Sequence, residues 1–229
     1  MNNPTFNTYF FPLKRVMSMR AITLFSFSPR LKATRPLAVG LLTMWVLFLT
    51  SYKSAFSADI EVGRQKAQLC VACHGAGGNS ENPEIPALAG QTAQALSTAI
   101  YQFREGNRKN PAMSPFAQNL SNADMNNLAA YFASEKRVVL THTSSAESQS
   151  LGPQLAKQYN CVQCHGPLLL GQQHIPRIAG QQHTYLLAQL KDFKAMTRAD
   201  MDGNMSSAAS VVKDGDLELL ADYIAGLNR

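Results

Sequence analysis

Two short cysteine–histidine motifs carry the residues best suited to chemistry. The hexapeptide Cys-Val-Ala-Cys-His-Gly at 70–75 recurs 91 residues later as Cys-Val-Gln-Cys-His-Gly at 161–166. Paired cysteines can form disulfides, work as a redox dithiol or bind zinc, but none of these uses explains a histidine directly after each pair. Cys-x-x-Cys-His is instead the attachment signature of haem c. Its duplication predicts two covalently attached haem groups.

Each motif would supply three bonds to its haem, two thioethers to the vinyl groups and one histidine ligand to the iron. The residues are Cys70, Cys73 and His74 in the first motif and Cys161, Cys164 and His165 in the second. A ligating histidine usually donates its other ring N–H to a carbonyl or carboxylate. We expect the backbone carbonyls of Pro86 and Pro176 to accept these hydrogen bonds. Arg108 and Arg198 are candidates for pairing with haem propionates, with exposed arginines as the alternative.

The sixth iron ligand has several candidates outside these motifs. They are Met113, Met125, Met196, Met201, Met205, His142, His174 and His183. Met113 lies between an Asn-Pro and a Ser-Pro pair, in a loop where proline disfavours helix. Met205 matches Met113 in the repeat, whereas Met125 falls on an apolar helix face typical of core packing. We therefore expect Met113 and Met205 to ligate iron, with Met196 and Met201 as alternatives in the second module. The three histidines are expected at the surface.

Histidine–methionine ligation would leave neither iron open to a substrate. The neutral thioether sulfur favours Fe(II) and raises the reduction potential. Catalysis at a six-coordinate iron would first require a ligand to leave, whereas transfer of a single electron requires no such step. The ligand set therefore predicts an electron-transfer protein rather than an enzyme.

An internal repeat defines the organisation of the chain. Ile-Pro-Ala-Leu-Ala-Gly-Gln at 85–91 matches Ile-Pro-Arg-Ile-Ala-Gly-Gln at 175–181, an offset of 90 residues. A polar segment that is poor in apolar residues separates the two copies, as is typical of linkers. We therefore predict a first domain at 59–138, a linker at 139–148 and a second domain at 149–229.

Hydrophobic spacing predicts an all-α fold, because no stretch alternates convincingly as a strand does. Short helices are expected to run into the cysteine motifs over Lys66–Cys70 and Pro153–Cys161. Longer helices are expected over Gln91–Glu105 and Gln181–Ala195, where apolar residues recur at helical spacing. Each module of about 80 residues would have a thin core, and such small units usually need a cofactor or another staple.

The last helix of each module is expected to present one apolar face to the core. Tyr131 would pack the first of these helices near Gly63, and Tyr223 would pack the second near Gly152. The expected N-caps are Ser121 and Asp214. The sequence therefore predicts the same contact between the first and last helices in both modules.

The N-terminal segment differs from the rest of the chain in charge. Residues 1–58 hold seven basic and no acidic residues, whereas residues 59–229 hold 14 basic and 15 acidic ones. The balanced second part gives no electrostatic case for nucleic-acid binding. Basic residues, an apolar run over Leu37–Leu49 and a small-residue exit at 54–58 are typical of a secretory signal peptide. An uncleaved anchor is the alternative, and either would place residues 59–229 outside the cytoplasm.

These residues resemble class I c-type cytochromes, and their tandem arrangement is similar to the dihaem cytochrome c4 family. The resemblance covers 59–229. It rests on the two haem motifs, the paired Pro-x-x-Ala-Gly-Gln segments, the Met-Ser-Pro at Met113–Pro115 and the closing Leu-Ala-x-Tyr helices. It implies two tandem all-α domains related by a pseudo-twofold axis, with facing haem propionates. The second module departs from the family pattern, with Met-Ser-Ser at 205–207 and a two-residue insertion.

The resemblance also implies a function. Members of this family carry electrons in the periplasm, either soluble or membrane-attached. They take electrons from a cytochrome bc complex or a dehydrogenase and pass them to a terminal oxidase, often of the cbb type. We therefore expect a periplasmic single-electron carrier whose partners are redox proteins. The alternatives are an electron-transfer subunit of a dehydrogenase complex, and a dihaem peroxidase or thiosulfate-oxidising enzyme.

Overall fold

The computed structural model describes residues 57–139 and 141–227, which belong to one compact unit. The predicted signal segment at 1–58 lies outside these residues except for its last two positions. The described part of the chain contains α-helices and no β-strand, apart from an isolated bridge between Gln172 and Ile175. None of these helices combines the length and apolarity that crossing a membrane requires. The all-α prediction is confirmed.

The α-helices of residues 57–139 and 141–227 form two sets of five in the same order. We call these ranges the first module and the second module. The first module contains α1 (Ile60–Lys66), α2 (Val71–His74), α3 (Ala93–Arg104), α4 (Ser114–Ala117) and α5 (Asn122–Ser134). The second module contains α6 (Ala146–Gln158), α7 (Cys161–His165), α8 (His183–Lys194), α9 (Asn204–Ser210) and α10 (Asp214–Ala225). Short 3₁₀ turns at Ala67–Leu69 and Ala76–Gly78 flank α2. The sequence repeat is thus also a repeat of structure.

In the first module, α1 packs directly against α5 because a glycine lets the two helices approach closely. A Cβ atom at Gly63 would lie 2.1 Å from the Asn127 carbonyl oxygen and 2.9 Å from Tyr131 Cβ. Helix α3 covers another side of α5. The buried residues of this core are Ala67, Leu96, Leu128, Ala129, Tyr131 and Phe132. The predicted packing of Tyr131 near Gly63 is confirmed.

The second module repeats this arrangement with α6, α8 and α10. A Cβ atom at Gly152 would lie 2.2 Å from Tyr223 Cγ, which confirms the predicted contact of these two residues. The core of this module includes Ala156, Leu169, Leu186, Leu217, Leu220, Ala221 and Ile224. Both haem motifs are therefore connected to a first helix that is held against the last helix of its module.

The starts of the two first helices differ from the prediction. Helix α1 begins six residues before Lys66, because the Asp59 carboxylate accepts hydrogen bonds from the N–H groups of its first turn. Helix α6 begins seven residues before Pro153, where the Ser145 side chain caps it. These caps lie upstream of the apolar residues on which the prediction depended, so the predicted starts at Lys66 and Pro153 are wrong.

The N-caps of the last helices were predicted correctly in one module only. Ser121 caps α5 in a reciprocal capping box, in which its side chain accepts from Asp124 N–H and Asp124 accepts from Ser121 N–H. In α10 the N-cap is Lys213, and Asp214 is the first residue inside the helix. The Asp214 carboxylate instead pairs with Lys194 at 2.9 Å. The aspartate therefore favours the helix start by charge and not by capping.

Candidate haem sites

The cysteines of both motifs lie on or next to a short helix that follows the first helix of each module. Cys73 and Cys164 are exposed, whereas Cys70 and Cys161 are half-buried against the core. All four thiols are free, and the described residues contain no group of three or more potential metal ligands. Burial raises the pKa of the Cys70 and Cys161 thiols, which is opposite to the lowered pKa of a redox dithiol. Cys70 and Cys161 therefore lack the lowered pKa that activates a redox dithiol.

Both motif histidines are buried and point one ring nitrogen at a proline carbonyl. His74 Nδ1 lies 2.8 Å from the Pro86 carbonyl oxygen, and His165 Nδ1 lies 2.7 Å from that of Pro176. A carbonyl can only accept, so Nδ1 carries the proton and Nε2 keeps its lone pair. Burial lowers the pKa of both imidazoles, which favours the neutral form. The predicted hydrogen bonds are confirmed, and two thiols with a neutral Nε2 donor form a ligand set that fits haem c.

A glycine after each histidine ends the motif helix and turns the chain toward the proline. Gly75 has φ +77° and Gly166 has φ +82°, a region that residues with a Cβ atom rarely adopt. At Gly75 a Cβ atom would also lie 2.2 Å from the Asn79 carbonyl oxygen. The glycine thus allows the return of the chain that brings a proline carbonyl to the ring of the ligand histidine.

Met113 and Met205 occupy matching places at the start of a short helix. Met113 is the N-cap residue of α4, and Met205 is the second residue of α9. Both are half-buried. The Met113 N–H donates to Asn110 Oδ1 at 2.9 Å, and the Met205 N–H donates to Asp200 Oδ2 at 2.7 Å. The repeat in sequence therefore corresponds to two methionines whose backbone N–H groups each donate to a side-chain oxygen shortly upstream.

The other candidate methionines lie in different surroundings. Met125 is 5% exposed and belongs to the packed face of α5, which confirms its predicted place in the core. Met196 is 72% exposed and Met201 is 57% exposed. These two side chains face outward where Met205 is half-buried, so the structure separates the three methionines of this segment by burial.

Two of the three histidines expected at the surface form a stacked pair. The rings of His142 and His183 lie 5.1 Å apart and are parallel to within 7°. His142 Nε2 lies 2.6 Å from Asp222 Oδ1, and His183 Nε2 lies 3.0 Å from Glu218 Oε1. Only His174 is exposed as predicted. The pair attaches the segment before α6 to α8 and α10, a contact between residues too distant in sequence for spacing to indicate it.

Two matching glutamines join the modules. Gln91 donates from Nε2 to the Arg177 carbonyl at 2.9 Å and accepts from the Arg177 N–H at 2.6 Å. Gln181 donates to the Ala87 carbonyl at 2.8 Å and accepts from the Ala87 N–H at 2.9 Å. Since both glutamines and both backbone partners are 90 residues apart, these bonds have the reciprocal pattern that a pseudo-twofold axis produces. The repeated Gly-Gln in the sequence was the signal for this contact, but its role was not predicted.

Arg108 and Arg198 approach each other across the same interface. Arg108 lies 4.5 Å over the Phe103 ring and Arg198 lies 4.3 Å over the Phe193 ring, so each packs on its own module. Both also donate to Gln189 Oε1. Burial lowers the pKa of Arg198 to about 10. The alternative of two exposed arginines is wrong, and their pairing with propionates stays a prediction.

Each module thus combines free thiols with a neutral, hydrogen-bonded histidine inside a small helical fold. This combination in two tandem copies defines a dihaem c-type cytochrome. Residues 63–132 match the family model described as cytochrome c oxidase, cbb3-type, subunit III, and residues 149–228 match the model for cytochrome c. Both matched segments contain a haem motif.

Comparisons that cover about three quarters or more of the chain agree with this class. Cytochrome c4 of Pseudomonas aeruginosa is 35% identical over 182 residues, covering 75% of this chain and 90% of that protein. The crystal structure of reduced cytochrome c4 from Pseudomonas stutzeri superposes with a TM-score of 0.70 at 31% identity, covering 75% of this chain and all of that one. The thiosulfate dehydrogenase electron acceptor of Thiomonas intermedia is 33% identical, covering 83% of this chain and 90% of that protein.

The chain belongs to the cytochrome c4 family. It is an electron-transfer protein and not an enzyme, and its cofactors are two covalently attached haem c groups. The predicted fold class, cofactor and general activity are therefore confirmed.

Proposed function

We propose that this chain carries single electrons in the periplasm, from a cytochrome bc complex or a dehydrogenase to a terminal oxidase. The observation that carries the proposal is the duplication of the entire haem-binding frame, since each module repeats the histidine–proline bond and the held methionine. Each haem, when bound, supplies an iron that alternates between Fe(II) and Fe(III). Two such frames in one chain suit the relay of electrons between redox proteins.

We propose that the two irons are attached through Cys70, Cys73 and His74 and through Cys161, Cys164 and His165, with Met113 and Met205 as sixth ligands. The support for the methionines is their matching position, their half-burial and their anchored backbone N–H groups. The outward-facing Met196 and Met201 have no matching methionines in the first module. A histidine and a methionine ligand together would leave the iron no open position, which would suit electron transfer and raise the potential.

The domain boundaries that we propose are a first domain at 59–138 and a second at 149–229, joined by a linker at 139–148 and preceded by an export signal at 1–58. Helices α1 to α5 fall inside the first domain. Helix α6 already begins inside the proposed linker. The composition of the N-terminal segment supports export, with an uncleaved anchor at the membrane as the alternative.

A second candidate function is the acceptance of electrons from a thiosulfate dehydrogenase. Relatives named thiosulfate dehydrogenase electron acceptor support it, one from Thiomonas intermedia and one from Stutzerimonas stutzeri that is 31% identical over 174 residues. The structure of the thiosulfate dehydrogenase TsdBA from Marichromatium purpuratum also superposes with a TM-score of 0.65 at 29% identity, with 40% of that chain covered. In this role the chain would serve as the partner of the enzyme and would not itself oxidise thiosulfate.

The experiment is a test of electron delivery with the purified, haem-loaded protein. Reduced protein is mixed in air with bacterial membranes that contain a terminal oxidase, and haem absorbance is followed. We expect both haems to be reoxidised in a reaction that an oxidase inhibitor blocks. Absence of reoxidation beyond the membrane-free control would contradict the proposal.

A parallel experiment separates the second candidate. Oxidised protein is mixed with thiosulfate, with and without a thiosulfate dehydrogenase. Reduction only in the presence of that enzyme would support the acceptor role. Reduction by thiosulfate alone would contradict the assignment as a carrier and favour an enzyme.

A further inference from the structure

The two methionine loops are held by side chains of different charge at the same position of the repeat. In the first module the Asn110 side-chain oxygen accepts from the N–H groups of Ala112 and Met113, both at 2.9 Å. In the second module the Asp200 carboxylate takes this place and accepts from the Met205 N–H at 2.7 Å. Asn110 and Asp200 are 90 residues apart, the offset of the repeat. The backbone N–H of Met113 therefore donates to a neutral amide, and that of Met205 donates to a carboxylate.

The Asp200 carboxylate also fixes the residue after the methionine. It accepts from the Ser206 N–H at 3.2 Å and from the Ser206 hydroxyl at 2.8 Å. The first module ties its following serine differently, because Asn110 N–H donates to Ser114 Oγ at 3.1 Å. The backbone and hydroxyl donors named above are neutral groups, so they orient the carboxylate without cancelling its charge. The Asp202 side chain is a further hydrogen-bonding neighbour of Asp200. A carboxylate with the ordinary aspartate pKa of about 3.9 is ionised at neutral pH.

The remaining charges of the two loops differ in the same direction. Residues 108–113 contain an arginine, a lysine and no acidic residue, whereas residues 198–205 contain an arginine and two aspartates. The second aspartate, Asp202, bonds to the backbone and side chain of Asn204 and leaves the methionine to Asp200. The methionine loop of the second module is therefore the more negative one.

We propose that Asp200 is a positioning residue that lowers the reduction potential of the second haem relative to the value that an asparagine there would give. The inference rests on the proposed ligation by Met113 and Met205. Oxidation of an iron adds one positive charge to its site, and a nearby carboxylate stabilises that charge. Hydrogen bonds and charges behind a ligand are among the means by which a protein tunes a bound metal. The two modules would thus hold their irons alike and set their potentials differently.

The test is a potentiometric titration of the haem-loaded D200N, N110D and E147Q variants beside the unmodified protein. Asparagine keeps an acceptor for the Met205 N–H while it removes the charge. We expect D200N to raise one potential, so that at a fixed ambient potential the reduced-to-oxidised ratio of that haem increases by about threefold, or ~28 mV at 59 mV per tenfold. We expect N110D to lower the other potential. E147Q removes an exposed carboxylate from α6 of the same module and is expected to change neither.

The absorption band of the methionine–iron bond, and the M205A variant, separate this inference from the ligand assignment on which it rests. We expect D200N to keep the band and M205A to remove it from one haem. Unchanged potentials in D200N with the band intact would overturn the role of Asp200 alone. Retention of the full band in M205A would overturn the ligation by Met205. A shift in E147Q as large as that in D200N would overturn the local origin of the effect.

Discussion

The two modules secure the same frame with different contacts between their first and last helices. In the first module, α1 has 7 residues and Lys66 pairs with Asp124 of α5 at 2.9 Å. In the second, α6 has 13 residues, and Tyr159 beyond its end donates its hydroxyl to Asp216 of α10 at 2.6 Å. Asp124 and Asp216 occupy matching positions, but one binds an ammonium group and the other a phenol.

This difference shows which parts of the frame tolerate change and which do not. The histidine–proline bond and the close helix contact at glycine are present in both modules. The ion pairs, caps and linker contacts around them are specific to one module. The bond that orients each motif histidine and the close glycine contact are thus repeated, whereas the ion pairs and hydrogen bonds around them are replaced by others of similar effect.

The largest expected effect on one module alone is the loss of its haem. The C70A/C73A and C161A/C164A variants each remove both thioether bonds of one site, and we expect haem content to fall from two groups to one in each. The measurement is the protein mass together with haem absorbance per chain. Two covalently bound haems in either variant would contradict the assignment of its cysteines.

The next largest effect is expected from alanine at the two glycine contacts. At Gly63 the new Cβ would meet the backbone of Asn127, whereas at Gly152 it would meet the Tyr223 side chain. Overpacking costs about 1–3 kcal/mol or more, and backbone yields less readily than a side chain. We therefore expect both variants to lower the free energy of unfolding, G63A more than G152A. Denaturant unfolding of the holoprotein measures both.

The matched control for this prediction is alanine at Gly215, near the start of α10, where a Cβ would have no neighbour within 4 Å. We expect G215A to leave the free energy of unfolding unchanged or higher, since alanine favours helix. A larger loss in G215A than in G63A would contradict the role of the close helix contact.

The interface glutamines offer a test of the pseudo-twofold relation. Gln181 is buried and Gln91 is half-buried, and each bonds both backbone groups of one residue in the other module. Loss of a buried partner costs about 1–3 kcal/mol. We expect Q181A to destabilise more than Q91A, and each to speed hydrogen exchange at the N–H that it bonded, Ala87 or Arg177. Equal protection in the variants and the unmodified protein would show that the bonds do not hold the modules together.

The smallest expected effect concerns Asp222 of the second module, a residue that has no matching carboxylate in the first module. Burial would raise its pKa, but hydrogen bonds from the Ser145 N–H and His142 lower it below the ordinary value. A lowered carboxylate pKa adds stability above the unfolded value of about 3.9, and that stability is lost as the pH falls through the folded pKa.

We therefore expect D222N to cost about 1–2 kcal/mol near neutral pH, and the difference from the unmodified protein to shrink as the pH is lowered below about 4. Unfolding free energies measured from pH 3 to 7 check this expectation, with E147Q as the control. A difference that grows toward acid pH would show that the contact of Asp222 has been misassigned.

Local patterns in the sequence predicted the residues that act within a short span. These residues are the cysteine pairs, His74 and the proline 12 residues after it. Their contacts depend on local geometry, and the repeat shows the same pattern in each module. The glycine–tyrosine contacts were also predictable, because each module has a glycine in its first helix and a tyrosine at the matching position of its last helix.

Contacts between distant residues could not be predicted in this way. The His142–His183 stack and the Gln181–Ala87 bonds join residues whose spacing carries no period. The start of α6 was missed because its cap, Ser145, lies in a polar segment that has the composition of a linker. The sequence repeat shows whether a residue has a counterpart in the other module. Only the packing of the modules shows which residues it contacts.

The most direct test of two six-coordinate haems is a spectroelectrochemical titration of the unmodified protein, M113A and M205A. We predict two one-electron waves at positive potential in the unmodified protein, because methionine ligation raises the potential of each iron. Each variant should lower one wave, a different one in each case, and leave the other in place. Two unchanged waves in either variant would contradict the account of the ligands.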